Sequence, residues 1–362
     1  MAEMPDVLFV SKPVAPPWND SNKNLVRDVA RGLTRYRARV MVPRGTAFEG
    51  AISEQLYAEP SRYAPSRAAN ARVLRRLVTG QRVAIWHFFF GPNPLTLRAG
   101  RIAASVRRAR TVHTIASAPD DLERIARMLF AQRVIVLSEH TRNRLERVGI
   151  GAIAIPPALA PLAVSRDAID RARAKHSLPE RFMLYPGDLE FGNGAESFVR
   201  AAAAAPELGW VVASRPKTPR AHEARATLEK LGESLGAKIV WLGEIDDIHA
   251  VLAASSAVTL VTDSLHAKMD WPLVLLEAMR LEVPVFVAQS TAAAELVVSR
   301  GAVPVPAGEP EALVRSLRDW FGASGEDRAT RLRDAAAWVD RTCAPDAIAR
   351  AYERVYDELI AL

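Results

Sequence analysis

The second half of the chain alternates short apolar runs with amphipathic segments, and few folds accept that pattern. "RFMLYP" (181–186), "GWVVAS" (209–214), "KIVWLG" (238–243), "AVTLVTD" (257–263) and "PVFVAQ" (284–289) have the length and the β-branched and aromatic content of strands. Between them "AESFVRAAAAA" (195–205), "AHEARATLEKLGESLG" (221–236) and "DIHAVLAAS" (247–255) read as helices, and a further helix opens near Pro272 and is closed by Val283 and Pro284. Apolar strands separated by helices imply a parallel sheet covered on both faces, hence a doubly wound α/β domain. The first half repeats the class less regularly, with strands "DVLFVS" (6–11), "ARVMVP" (38–43), "RVAIWHFFF" (82–90), "RTVHTIAS" (110–117) and "RVIVLSE" (133–139) and a helix "LVRDVARGLTRY". At 362 residues, two domains are the natural expectation. The Pro-rich segment 151–165 reads as their linker, with the boundary near 160. The segment "APDAIARAYERVYDELIAL" is an amphipathic helix with Ile348, Tyr352, Val355, Tyr356 and Leu359 on one side.

Several classes are excluded or disfavoured. The longest uncharged run, from Gly149, contains Pro156, Pro157 and Pro161, so it is not a spanning helix. The N-terminus places acidic residues where an export signal needs basic ones, and the single Cys343 forms no internal disulfide. A cytoplasmic protein is expected. Charge is divided unevenly: residues 1–165 carry 25 Lys and Arg against 12 Asp and Glu, and residues 166–362 carry 23 against 29. The net values are +13 and −6. Clusters such as "RVLRRL" (72–77) and "SVRRAR" (105–110) suit an anionic membrane surface or an acidic acceptor, or else are solvated faces. No aromatic-interleaved nucleic-acid signature accompanies them, so nucleic acid is not expected. There is no Asp-x-Asp, no histidine cluster and no thiolate pair, so neither a metal nor another cofactor is expected.

Ligands of open α/β sheets bind beyond the carboxyl ends of the strands. The loops to inspect are therefore "SKPVAPPWNDSNKN", "FFGPNP", "IASAPDD", "PGDLEFGNG", "SRPKTPR", "GEIDD" and "DSLHAKMDWP". Two such domains face to face would make a cleft. One carboxylate stands out: Glu277 follows the apolar run Leu273–Leu276 and shares a helix face with Leu273 and Leu281. A buried carboxylate needs a cation, a set of donors or a ligand hydroxyl.

The blocks "FMLYPGDLEFGNGAESFVRAAAAA", "KIVWLGEIDDIHAVLAASSAVTLVTDS", "PLVLLEAMRLEVPVFVAQSTAAAELV" and "PAGEPEALVRSL" resemble the donor half of the retaining, nucleotide-sugar-dependent glycosyltransferases of the GT-B fold, family 4. "VLFVSKPVAPP", "IWHFFFGP" and "RVIVLSEHTRNRLERVGIGAIAIPP" resemble their acceptor half and hinge more weakly. The resemblance implies two Rossmann-like domains facing a cleft: an acceptor-binding domain, 1–160, to which a C-terminal helix, 346–362, crosses back, and a nucleotide-sugar-binding domain, 161–345. It places Glu277 on the glutamate that accepts the ribose hydroxyls; the structural alternative is an ion pair with an Arg of a neighbouring helix. Gly243 and Glu244 fall near the base, Gly187 on the donor side, and Glu295 on the family's glutamate after a Gly-Gly turn. That turn is Ala292 and Ala293 here.

Other departures matter. The first glutamate of the family's paired motif is Met269, which leaves Lys268 and Asp270 to act at the sugar. The diphosphate-clamping Arg and Lys are replaced by Asp188 and Asn193, and Arg215 and Lys217 in the next loop are the candidates to relocate that charge. On the acceptor side, "PPWNDSNKN" replaces a Gly-Gly loop but offers Ser21, Asn22 and Lys23 at a helix N-terminus, and His113 lies in the strand whose family histidine is Ala116. His87 sits at a family-like position, either catalytic or structural. The expectation is a metal-independent glycosyltransferase, cytoplasmic and peripheral at the inner membrane face, with an acidic or lipid-linked acceptor. The alternatives are a non-catalytic GT-B binding protein and a sugar-nucleotide epimerase of the same architecture.

Overall fold

The structure, a computed structural model, describes residues 4–58, 65–117, 121–216, 218–265, 268–299 and 301–361. Contacts divide the chain into two compact units: the described residues of Met1–Ala160, Ala267–Asp270 and Cys343–Leu362, and those of Pro161–His266 and Trp271–Thr342.

In the first unit, β1 (Asp6–Ser11), α1 (Ser21–Gly32), β2 (Arg37–Pro43), β3 (Ile52–Tyr57), α2 (Arg67–Thr79), β4 (Ile85–Phe89), α3 (Pro94–Arg107), β5 (Arg110–Ile115), α4 (Leu122–Ala126), β6 (Arg133–Val136), α5 (Glu139–Glu146) and β7 (Ile153–Ala154) follow one another. The sheet is parallel, in the order β3-β2-β1-β4-β5-β6-β7. Consecutive residues of β1 and β4 are buried, as expected for strands covered on both faces. Strand β3, "ISEQLY", escapes the sequence pattern because it is the edge: most of its side chains are only partly buried, so it does not need an apolar run.

The second unit runs α6 (Arg166–His176), β8 (Met183–Tyr185), α7 (Gly194–Ala204), β9 (Trp210–Ala213), α8 (Pro219–Ser234), β10 (Val240–Leu242), α9 (Ile248–Ala254), β11 (Ala257–Leu260), α10 (Leu273–Arg280), β12 (Val285–Ala288), a 3-10 segment (Ala292–Ser299), β13 (Ala302–Val305), α11 (Pro310–Gly322) and α12 (Gly325–Thr342). Its parallel sheet has the order β10-β9-β8-β11-β12-β13. The strands are shorter than the apolar runs. "AVTLVTD", for example, leaves the sheet after Leu260, and Val261, Thr262 and Asp263 form the loop that follows. Pro272 stands at the N-cap position of α10, and Glu282, in the left-handed region at φ 57, follows its end. Phe198 and Trp210 meet edge to face at 4.9 Å in the core between α7 and the sheet.

The last helix, α13 (Pro345–Ala361), belongs to the first unit. Ile348, Tyr352, Val355, Tyr356 and Leu359, the apolar side read from the sequence, are all buried. Between them Glu353, 1% exposed, accepts from the backbone N–H groups of Thr34 (2.6 Å) and Arg35 (2.7 Å) and from Arg35 Nε (3.1 Å). One buried carboxylate is thus satisfied by the backbone N–H groups just past α1 and by the Arg35 side chain.

Candidate functional site

In a doubly wound sheet the binding crevice opens where the strand order reverses. In the second unit this lies between β8 and β11. The loops leaving these strands touch because glycine lets them. A Cβ on Gly187 would stand 2.3 Å from the Tyr185 ring, and one on Gly192, whose φ is +66, would stand 2.3 Å from Thr262 Oγ1. Asn193 and Asp263 then bind each other reciprocally: Asn193 N donates to Asp263 Oδ1 (3.0 Å), and Asp263 N donates to Asn193 Oδ1 (3.1 Å).

This latch has a cost for the helix behind it. Asn193 is the N-cap of α7 but makes no cap bond, since its side chain is turned to Asp263. Asp247, the N-cap of α9, likewise makes none, because its carboxylate holds Lys175 Nζ (3.2 Å) and His176 Nε2 (2.9 Å). At α10 the N-cap is Pro272, which has no side-chain acceptor to give. The helices after β8, β10 and β11 therefore leave first-turn N–H groups uncapped, the arrangement that receives anions. The neighbouring loop side chains Asp188, Glu190 and Asp263 are acidic, so what these residues' loops offer a phosphate is backbone N–H groups and helix dipoles.

The other donor-side candidates fall as follows. Arg215 and Glu244, assigned separately to diphosphate and base by the sequence, form one pair at 3.3 Å, which leaves Arg215 partly neutralised as a clamp. Lys217 lies outside the described residues. Gly243 has no atom within 4 Å of a would-be Cβ, so close packing does not require a glycine there. Glu295 accepts from Trp271 Nε1 at 3.1 Å, and Trp271 packs on Trp338 with ring centroids 5.6 Å apart.

Glu277 is not sealed in the core, as its apolar neighbours suggested; its side chain is 16% exposed. Its partner is neither an arginine nor an unfilled gap, but His249 of α9, at 3.3 Å. The bond from Glu277 raises the His249 pKa above its ordinary value, against the effect of burial. Nothing in the sequence spacing of His249 pointed to this pairing, because it depends on how α9 lies beside α10.

Asp270, expected to act at the sugar, needs correction. It is 2% exposed, its Oδ2 accepts from Ser138 Oγ at 2.7 Å, and its N–H donates to Ala116 O at 2.9 Å. Since Ser138 is the N-cap of α5, Asp270 buttresses a helix start in the first unit and is not open to a substrate. Met269 beside it is 4% exposed, so an apolar side chain fills the position of the family's first glutamate. Lys268, in the same short segment, is partly buried.

The acceptor-side candidates are also corrected. The N-terminus of α1 is closed by its own N-cap: Asp20 Oδ1 accepts from the N–H groups of Asn22 (3.0 Å) and Lys23 (3.2 Å), leaving Ser21 at the head of a capped helix. Asn22 Nδ2 donates to Phe89 O (3.0 Å), and Lys23 is 3% exposed with Nζ 3.4 Å from Ala15 O. Burial alone would raise the Asp20 pKa, but Lys12, 2.7 Å away, and the Lys23 backbone bond hold it low.

His87 is fully buried, with Nδ1 2.6 Å from Tyr356 Oη and Nε2 2.7 Å from Thr114 Oγ1. Burial, with His113 nearby, drives its pKa well below the ordinary value, so it is a neutral core residue joining β4 to α13 and not a catalytic base. His113 is equally buried, bonds Phe90 O at 2.9 Å, and is pushed down to about 4 by burial.

Residues 167–337 match the family model described as glycosyl transferases group 1, which spans the latch, the three uncapped helices and Glu277. The second unit matches a glycosyltransferase domain, and the chain as a whole has the GT-B fold. Solved structures agree on the fold. HepE of Anabaena is 18% identical with a TM-score of 0.78, covering 98% of this chain and 100% of its own; it has been solved with UDP and with UDP-glucose. The sucrose-phosphate synthase of Thermosynechococcus elongatus is 19% identical with a TM-score of 0.77, over 99% and 100%. WaaG, a glycosyltransferase of lipopolysaccharide biosynthesis, is 16% identical with a TM-score of 0.68, over 95% and 98%. No curated protein matches the chain by sequence. Among the described residues, no group of three or more His, Cys, Asp or Glu is placed to hold a metal ion, and no helix is long and apolar enough to cross a membrane.

Proposed function

We propose that the enzyme moves a sugar from a nucleotide-sugar donor, held on the second unit, to an acidic or lipid-linked acceptor. In this reading it is of the family 4 kind and needs no divalent metal. The observation that carries the reading is the pair of uncapped N-termini of α7 and α10, the helices that follow β8 and β11 at the switch point. A diphosphate leaving group there is met by N–H groups and helix dipoles, which replace the cations that Asp188 and Asn193 do not supply. Glu277, on the last of these helices, offers carboxylate oxygens to a ribose diol, oriented by His249. HepE with bound UDP-glucose supports a nucleotide-sugar donor. The +13 charge of residues 1–165 supports an anionic acceptor or surface.

Glu277→Gln tests the donor reading. Calorimetry with UDP and other nucleoside diphosphates should show affinity lowered about ten- to a hundredfold, since a charge-assisted bond is worth roughly 1.5–3 kcal/mol. The melting temperature should change little, because the His249 left behind is 44% exposed and can hydrate. Unchanged affinity with a large loss of stability would make the pair structural. Transfer assayed in chelator should run at the untreated rate; loss restored by Mg²⁺ would end the metal-free reading.

A further inference from the structure

Helix α3 is built inside out. The face it turns to the sheet carries Leu97, Gly100, Ala103 and Ala104, all buried, and three of these four are the smallest residues available. The opposite face exposes Leu95 (75%), Ile102 (66%) and Val106 (66%), at a spacing of seven and four that keeps them in one stripe. Adjacent α2 exposes Leu74 (38%) and Val78 (36%). The two helices are joined at their ends, where Arg107 of α3 donates to the carbonyls of Val78 and Gly80. Exposed apolar residues scattered singly need no explanation, but a stripe of large aliphatics over a face of small ones does.

Charge supplies the second observation. Residues 60–119 contain eleven arginines and no Asp, Glu or Lys. Arg75 on α2 and Arg98 on α3 are exposed in the same helical stripes as the aliphatics, and Arg108 is exposed at the end of α3. Four others are bonded to the protein itself: Arg76 to Glu54, Arg107 as above and, though exposed, Arg101 to the carbonyls of residues 127–129 and Arg110 to Ile360 O. The arginines that flank Leu95, Ile102 and Val106 thus lie among no acidic side chains of either helix.

We propose that the outward face of α2 and α3 is a docking surface for an anionic lipid bilayer. Leu95, Ile102 and Val106 enter the acyl boundary while Arg75, Arg98 and Arg108 meet headgroup phosphates. Charge complementarity selects this occupant. A second copy of the same face would set arginine against arginine with nothing to offset it, and a nucleic acid would leave three large aliphatics facing a phosphate backbone. The proposal rests on the reading of a lipid-linked acceptor and gives that reading a place on the molecule.

The test is flotation of the full chain with vesicles of phosphatidylcholine alone and of phosphatidylcholine with phosphatidylglycerol. Binding is expected to the mixed vesicles only, falling at least tenfold between low and physiological salt. Leu95→Asn with Ile102→Asn and Val106→Asn should lower partition into mixed vesicles at least tenfold, and Arg75→Gln with Arg98→Gln and Arg108→Gln should do likewise and remove the salt dependence. Both variants should keep the parent melting temperature and UDP affinity. No binding at low salt, equal binding to neutral vesicles, or triple variants that bind as the parent does would each overturn the proposal. A parent that sediments as a dimer and the aliphatic variant as a monomer, without vesicle binding, would assign the face to a second copy instead. Loss of UDP binding in the parent would count against the donor reading and leave the vesicle result standing on its own.

Discussion

In the first unit, α1, α2, α3, α4 and α5 each begin with a side chain that accepts from the helix's own first turn: Asp20, Ser66, Asn93, Asp121 and Ser138. In the second unit α6 and α8 are capped in the same way by Ser165 and Thr218, but α7, α9, α10 and α11 begin with no such acceptor. Both units are doubly wound parallel sheets, so fold does not explain the contrast. A cap contributes about 1 kcal/mol to stability, and leaving one out is tolerable where water or a ligand takes the open donors. Asn193 and Asp247 show that suitable residues are present but turned elsewhere, to Asp263 and to Lys175 and His176. Helices α1 to α5 satisfy their own starts; four helix starts of the second unit keep donors open.

Acid should separate the units most. His113, at about 4, and His87, well below its ordinary value, are depressed by burial, so the unfolded chain binds protons that the folded first unit refuses. Stability of that unit is full above about pH 6.5 and falls as pH drops; His113 alone accounts for on the order of 3 kcal/mol by pH 4. The carboxyls of Asp6, Asp20, Glu54 and Glu353 are each raised by burial but held low overall by their partners, so their contribution is lost next, as pH falls below about 4. His249 has the opposite sign: its pKa is raised, so its pairing with Glu277 is fully present below its unfolded value and lost as pH rises through the folded one. Hydrogen exchange followed from pH 7 to pH 4.5 should show the first unit opening while the second holds. Parallel loss in both units would break the contrast.

Removing a cap should come next in size. Asp20→Ala deletes the acceptor for Asn22 and Lys23 and leaves the buried Lys23 with one carboxylate fewer, at about 2–4 kcal/mol. Denaturant melts should show this loss with UDP affinity intact; a loss below about 0.5 kcal/mol would mean the cap is idle. Adding a cap is the smallest and most pointed change. Pro272→Asp supplies α10 with an acceptor and should lower UDP affinity about tenfold, because the new carboxylate sits where a phosphate would; Pro272 is buried, so desolvation of the carboxylate offsets the cap and no net stabilisation is expected. Unchanged affinity would show that the open end of α10 has no part in donor binding.

What the sequence made legible follows from where burial is two-sided. Strands covered on both faces must be apolar, and each of the five runs in the second half contains a strand; β3 and β13, at edges, had no such obligation and were not read, while β10, also at an edge, was legible because its residues are apolar all the same. The buried side of α13 was legible from its period. The site was less so. Glu277 announced itself as a charge beside apolar residues, but its histidine partner comes from another helix. Asp20, Ser138 and Asp247 are ordinary polar letters until the fold shows which of them cap a helix and which are drawn away from one. His87 and His113 resembled functional residues because core histidines and catalytic ones share a letter; only burial and saturated ring nitrogens tell His87 apart.

The hydrogen bonds from Thr34 and Arg35 to Glu353 join residues 319 and 318 positions apart. Synthesis therefore sets an order of events. The strands of the first unit leave the ribosome first, yet the helix that covers His87 and receives the end of α1 arrives after the whole second sheet, β8 to β13, has been made. The second unit's sheet and Gly-rich latch lie in one uninterrupted stretch and can close as they emerge, while the earlier half waits with an apolar flank uncovered. The half that is translated first is thus the half that finishes last, and it is there, rather than around the donor corner, that a nascent chain of this kind needs protection from its neighbours.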